Sequence, residues 1–385
     1  MRYSFRLSEL LGHVPDPRKR PGTIKAIVEH TGLDRHQVAN LLKNEVKYIP
    51  LQALSRLCDF LIERGYVPAD ELPGALFAVE PEHFWELLAR RQRLELCVGV
   101  RREEEEEGPE GAWVVASDSV LLGELLNGVS TLGGTAKHRR DQSPLESFPI
   151  ERPHPELLKQ SLVWSPGQNT AEEVMRRAAE VFEEFCSLPT DKSLISLGSI
   201  KSNPVTEMIL AGAFGASAFK SQDDFQRSAD RSCPFFLRYR DDDPHADSCC
   251  GGVRLADDTR SKQPGFYFET PSGKWKHIAW RAADRDAALV FYIHRESQGR
   301  LEMALSGFSG RATRLLAKTL ASRADDFWPP VYEGQGIQVG AFLVQYTINQ
   351  RDDSHDDILQ TELTAAEKVH PLDGEVIRRR LERGG

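Results

Sequence analysis

Arg35, His36, Asn40 and Lys43 share the polar side of one short helical stretch. Guanidinium, imidazole, carboxamide and ammonium groups together offer the donors and acceptors that read base edges and the charge that meets phosphate. Val38, Leu41 and Leu42, interleaved with them, make an apolar stripe for the opposite side. A preceding stretch opens at Thr23 behind Pro21-Gly22, with Thr23 expected as its N-cap, and carries its own stripe of Ile24, Ile27 and Val28. Gly32 supplies the tight turn between the two, and Asp34 the cap of the second. Two short helices hinged on a glycine form a helix-turn-helix, whose second helix enters the DNA major groove.

The run from Thr31 to Leu42 (TGLDRHQVANLL), followed by Ile49 to Cys58 (IPLQALSRLC), resembles the XRE or Cro/phage-repressor type of helix-turn-helix domain, over roughly residues 1–70. The resemblance implies that Arg35, His36 and Asn40 face base edges. Arg35 would pair with guanine O6 and N7, and Asn40 with adenine N6 and N7. It also implies that Thr23 with its helix N-terminus, Lys43, Lys47 and Tyr48 hold phosphates, with Arg18-Lys19-Arg20 placed to reach the backbone. The chain departs from the pattern in a longer loop from Gly12 to Pro21. It also has Asn44-Glu45 where many relatives carry Gly, although Asn tolerates the left-handed conformation.

Charge divides the chain in the same place. Residues 1–70 hold eleven Lys plus Arg against eight acids, a net +3, so the remainder of a −9 chain carries −12. Phosphate would repel that remainder, which confines DNA contact to the N-terminal head. So mild an excess predicts modest affinity per head and a homodimer reading two half-sites. At 385 residues, 40% hydrophobic and 28% charged, the chain accommodates one small head and a larger globular body. No apolar run is long enough to span a membrane, and residues 1–7 lack a signal-peptide core. Six cysteines without a regular framework point to a reducing, cytoplasmic setting.

A helix is expected over Leu51–Arg64, with Leu54, Leu57, Cys58, Leu61 and Ile62 facing inward and closure at Gly65; a connecting helix follows within 73–92. From Leu94 the pattern turns to strands. Leu94–Val100 and Ala112–Ala116 flank a five-glutamate loop, Gln142–Pro155 is a Pro-rich loop, and Ala171–Cys186 is an amphipathic helix. Two segments read as strand, small polar loop, helix: Ser193–Leu210, with Pro204 at the first helical position, and Leu301–Ala317. In open α/β sheets, ligands bind at the carboxyl ends of such strands, where free helix N–H groups accept an anion. Ser199, Ser202, Asn203 and Thr206 in one loop, and Ser309, Gly310, Arg311 and Thr313 in the other, could hold a nucleotide or phosphorylated small molecule. Asp118 adds a carboxylate after a third strand, or else caps the helix that follows. Neither loop is a Walker or GxGxxG motif.

Hydrolytic chemistry would require His277 or His294 to meet Ser199 or Ser309, and the sequence contains no HExxH, GxSxG or paired CxxC. Cys233, His245, Asp247, Cys249 and Cys250 cluster in a polar segment that reads as a surface loop with incidental cysteines; zinc ligation and redox sensing are the alternatives. The expectation is a small all-α head, residues 1–72, followed by a larger open α/β, Rossmann-like body over 93–349 and a helical tail over 350–385. The functional reading is a DNA-binding regulator whose body senses a small-molecule effector, with no metal or catalytic residue assigned. A nucleotide-processing enzyme targeted by its head, or a protein-interaction adaptor, remains as an alternative.

Overall fold

The computed structural model describes residues 2–11, 23–43, 45–46, 48–67, 69, 72, 76–102, 112–133, 155, 157–167, 169–188, 191–220, 232–253, 263–295, 298–334, 336–350 and 364–384. The Gly12–Pro21 loop, Arg18-Lys19-Arg20, Asn44, Lys47, the five-glutamate run and most of the Pro-rich stretch lie outside them. The chain divides into two compact units. The smaller is 1–82 with two short returns, 294–300 and 333–337; the larger is 83–293, 301–332 and 338–385.

The smaller unit runs β1 (Arg2–Phe5), α1 (Leu7–Leu10), α2 (Thr23–Thr31), α3 (Arg35–Leu42), α4 (Leu51–Glu63) and β2 (Phe77–Glu80). Its core joins Ile27 of α2, Val38 and Leu41 of α3, and Leu57, Phe60 and Leu61 of α4. Gly32 takes a φ of 76° between α2 and α3, a left-handed value at which a side chain would be strained. Thr23 is the first residue of α2 rather than the residue before it. On α4 the buried stripe runs through Ala53, Leu57, Phe60 and Leu61, which turns Ile62 to solvent instead of inward. The segment read as a connecting helix begins with a strand: β2 pairs antiparallel with β1, setting Phe77 opposite Phe5 and tying the start of the head to its end.

The chain continues through α5 (Phe84–Ala89), β3 (Arg93–Arg102), β4 (Ala112–Val114), α6 (Ala116–Thr131), β5 (Leu157–Trp164), α7 (Ala171–Ser187), β6 (Lys192–Leu197) and α8 (Val205–Phe214). Then come β7 (Phe235–Arg238), β8 (Gly251–Gly252), β9 (Gly265–Glu269), β10 (Trp275–Ala279), β11 (Arg285–Arg295), β12 (Arg300–Gly307), α9 (Gly310–Arg323), β13 (Tyr332–Gly334), β14 (Ile337–Gln350), β15 (Thr364–Pro371) and α10 (Gly374–Gly384). Among the described residues nine strands form one sheet in the order β13-β14-β11-β12-β6-β3-β4, with β15 beside β14 and β5 beside β3; β10-β9-β7-β8 form a second.

A Rossmann-like sheet would be mainly parallel, and this one is mixed. β5 and β6 flank β3 in parallel, each reached through a helix. β4 pairs antiparallel with β3. β15 also lies antiparallel on β14. The helical tail is therefore part strand: Thr364–Pro371 carries an alternating pattern that the basic run after it obscures. That basic run is neutralised within the larger unit, Arg379 and Arg380 reaching Glu269 at 2.8 and 2.7 Å and Arg378 reaching Glu375 and Glu382.

β3 is buried on both faces, which explains its nearly unbroken apolar run. Leu94, Leu96 and Val98 join the main core with Phe84 and Trp85 of α5, Leu121 and Leu125 of α6, and Leu316 of α9. Cys97, pointing the other way, meets Asn203 ahead of α8.

Candidate nucleic-acid interface and body cavity

In the head, Asp34 closes a capping box at the start of α3. Its Oδ1 accepts from Gln37 N at 2.8 Å, and Gln37 Oε1 accepts from Asp34 N at 3.0 Å. The box satisfies donors that the helix leaves free at its N-terminus, so α3 starts at Arg35 with defined geometry. Arg35, His36 and Lys43 are exposed and Asn40 half-exposed, while Val38 and Leu41 hold the helix down. Thr23 is half-buried at the start of α2, and Tyr48 stands in solvent at 78% exposure. Six of the seven residues expected to touch DNA are thus on described, accessible backbone; Lys47 lies outside the described residues.

In the larger unit, the turns before α6, α8 and α9 converge on one cavity of about 390 Å³. Asp118, Ser199, Ser202, Ser309, Gly310 and Thr313 line it, as do Ser117, Ser165, Phe308, Arg101, Lys201, Arg240, Asp242 and Asp243. Close backbone approach builds this floor: a Cβ on Gly99 of β3 would stand 2.3 Å from the Ser202 carbonyl oxygen. Asp118 is not the helix cap. α6 begins at Ala116 and Asp118 sits in its first turn, 4% exposed, donated to by Ser117 Oγ at 3.3 Å. Burial pushes its carboxyl up to about 6.

Two of the three lining cations are paired with one carboxylate. Asp243 accepts from Lys201 Nζ at 2.6 Å and from Arg240 Nε at 2.9 Å. Burial alone would raise Asp243, but the hydrogen bonds from Arg240 and Lys201 outweigh it and hold the carboxyl below its usual range. Burial pulls the Lys201 ammonium down although Asp243 supports its charge, and Lys201 also lies 5.0 Å over the Phe308 ring. At α9, Ser309 is the N-cap and donates to Asp286 at 2.5 Å.

Three residues expected at the ligand belong to the scaffold instead. Asn203 is fully buried, donating to the Cys97 and Leu197 carbonyl oxygens at 2.9 Å and accepting from Val205 N; it locks the β6–α8 turn. Thr206, also fully buried, shares a hydroxyl contact with Ser196 at 2.8 Å. Arg311 turns away to Asp286 and to the Ala282 carbonyl oxygen. Pro204 is the residue before α8 rather than its first. Sequence reasoning missed Lys201, which sits inside the loop it had singled out, and Arg240 to Asp243, which follow a strand in an Asp-rich turn.

Neither histidine meets the serines. His277 stacks on Tyr267 at 4.1 Å and faces the Pro264 carbonyl oxygen, and His294 lies near the end of β11; neither lines the cavity. The cysteine segment is not an exposed loop. Cys233, Cys249 and Cys250 are buried with their sulfurs within 4.8 Å of one another, while Asp247 is exposed and His245 packs on Tyr239.

Residues 18–62 match the family model of the Cro/C1-type HTH DNA-binding domain, in register with the helix pair described above. The match supports DNA binding by the smaller unit, and it covers none of the larger one. No curated protein and no solved structure gives a significant match to the chain. Among the described residues no helix is long and apolar enough to cross a membrane.

Proposed function

We propose that this protein is a sequence-specific transcriptional regulator that binds double-stranded DNA as a homodimer and responds to a small anionic effector, a nucleotide or phosphorylated molecule, held in the larger unit. The observation that carries the reading is α3: capped by Asp34, anchored by Val38 and Leu41, and presenting Arg35 and His36 outward within the stretch that matches a DNA-binding family. The effector reading is supported by the cavity. Its volume is that of a small-molecule site, and hydroxyls, helix N-termini and cations converge on it.

The test is a titration of the purified protein against its own upstream duplex and a scrambled duplex over a salt series. The reading expects preference for the native duplex and a linear fall of log affinity with log salt. Equal affinity for the two duplexes would remove sequence-specific regulation.

A further inference from the structure

We propose that Cys233, Cys249 and Cys250 form a three-thiolate site for a thiophilic d10 cation, zinc(II) foremost. The three sulfurs are contributed by the residue two before β7 and by the pair directly ahead of β8. Adjacent cysteines ordinarily point apart, yet here both sulfurs turn to the same side and all three fall within 4.8 Å of one another. Cys233 Sγ and Cys249 Sγ are 3.9 Å apart. With zinc–sulfur bonds of about 2.3 Å, the edge of a tetrahedral zinc–thiolate site is about 3.8 Å, so this pair already has the span that one ion requires.

The surroundings distinguish the cluster from cysteines that serve only as small apolar fillers. Glu207 of α8 is 1% exposed, and its oxygens accept from Cys249 N at 2.7 Å, Phe219 N at 3.0 Å, Ser248 Oγ at 2.6 Å and Cys250 Sγ at 3.5 Å. Among the described residues no Lys, Arg or His forms an ion pair with it. One buried acceptor thus gathers the donors of the Ser248-Cys249-Cys250 turn, which fixes both adjacent cysteines with their sulfurs beside Cys233. Glu207 acts as a positioning residue. It holds Cys249 N directly, and through Ser248 Oγ, which accepts from Cys250 N at 3.2 Å, it holds the second cysteine too. Tyr239 closes the cage over Gly251, where a Cβ would stand 2.2 Å from its hydroxyl. Binding forms three metal–sulfur bonds and releases the thiol protons to solvent, with no change of oxidation state.

The full-length protein, purified under reductant and without chelator from zinc-supplemented cells, should carry one zinc per chain by plasma mass spectrometry. Replacement by cobalt(II) should give a thiolate-to-metal charge-transfer band in the near ultraviolet. Cys250→Ser should lower zinc affinity at least tenfold, whereas Cys186→Ser, outside the cluster, should not. Circular dichroism checks the folding of each variant, and the cobalt spectrum of the unmutated protein stands even if Cys250→Ser fails to fold. Less than a tenth of an equivalent of zinc together with no charge-transfer band overturns the proposal. So does a chain lighter by two hydrogens with Cys233 and Cys249 bridged, which would make the cluster a disulfide site.

Discussion

Asp34→Ala separates the rigidity of the recognition helix from its chemistry. The substitution takes the acceptor 2.8 Å from Gln37 N and abolishes the box that Gln37 completes on Asp34 N. Both bonds are exposed, so water replaces them in part and the cost sits mid-range for a lost cap, about 1 kcal/mol. That is roughly a fivefold shift between formed and frayed α3. A rarely frayed helix that frays fivefold more often is still formed in nearly every molecule, so affinity for a cognate duplex should move by less than about twofold. Loss of the carboxylate beside the phosphates works in the opposite direction. Arg35→Ala should do the reverse: no change in helix opening, but a loss of about 1–3 kcal/mol, roughly 5- to 150-fold in affinity, with relaxed preference at one base position. Hydrogen exchange over residues 38–43 reads helix opening, and a binding titration reads the contact. Asp34→Asn, which keeps a capping acceptor, should exchange like the unmutated protein. If Asp34→Ala leaves exchange unchanged, or weakens binding as much as Arg35→Ala does, the assignment of separate roles fails.

Asp118 couples stability to pH. Its folded pKa of about 6 lies above the ordinary 3.8, so the folded state holds the proton more tightly. The stabilisation is present in full below about pH 4 and lost as pH rises through about 6, amounting to at most about 3 kcal/mol. Asp118→Asn should therefore gain in melting temperature over the unmutated protein between pH 4 and 7, and a pH-independent gap would refute the shift. Gly99→Ala drives a methyl to 2.3 Å from the Ser202 carbonyl oxygen and should cost about 1–3 kcal/mol in chemical denaturation. Gly123→Ala, exposed on α6 with nothing within 4 Å, should stabilise by about 0.5–1 kcal/mol, and equal effects at the two sites would contradict the packing argument. Asp243→Ala strands Lys201 and Arg240; it should cost about 2 kcal/mol of stability yet tighten binding of an anionic effector, as calorimetry on the variant would register.

What could be read from the sequence was what depends on neighbours along the chain. The Asp34 cap, the glycine turn at Gly32 and the stripe of Val38 and Leu41 all follow from spacings of a few residues. The polar turns before α8 and α9 were legible for the same reason, and the fold brings them to one cavity. What escaped was set by pairing at a distance. Whether Asn203 faces a ligand or locks a turn depends on the Cys97 carbonyl oxygen, 106 positions away. Glu269 captures Arg379 and Arg380 across more than a hundred residues, and no local pattern announces it. β15 was lost to the neighbouring basic run, and the mixed character of the sheet to the assumption that strand–loop–helix units continue throughout. The cysteines looked superficial because the segment around them is polar, while its polar donors turn inward to Glu207 on a helix elsewhere in the chain.

The charges of the cavity narrow what it can hold. Arg101, Lys201 and Arg240 face Asp118, Asp242 and Asp243, so the lining is close to neutral and two of its cations already share one carboxylate. A bare phosphate would have to compete with Asp243 for both, which makes inorganic phosphate a weak occupant. A nucleotide or sugar phosphate adds hydroxyls for Ser165, Ser199 and Ser202, contacts that inorganic phosphate makes less well. Drawing Lys201 and Arg240 toward such a ligand leaves Asp243, 9% exposed, without its partners. On the proposed effector reading, the turn from Arg240 to Pro244 would then rearrange or take up a proton, and bound and free states would differ there by more than the ligand itself. That difference is what effector control requires, because a ligand shifts an equilibrium only by the difference in its affinity for the two states.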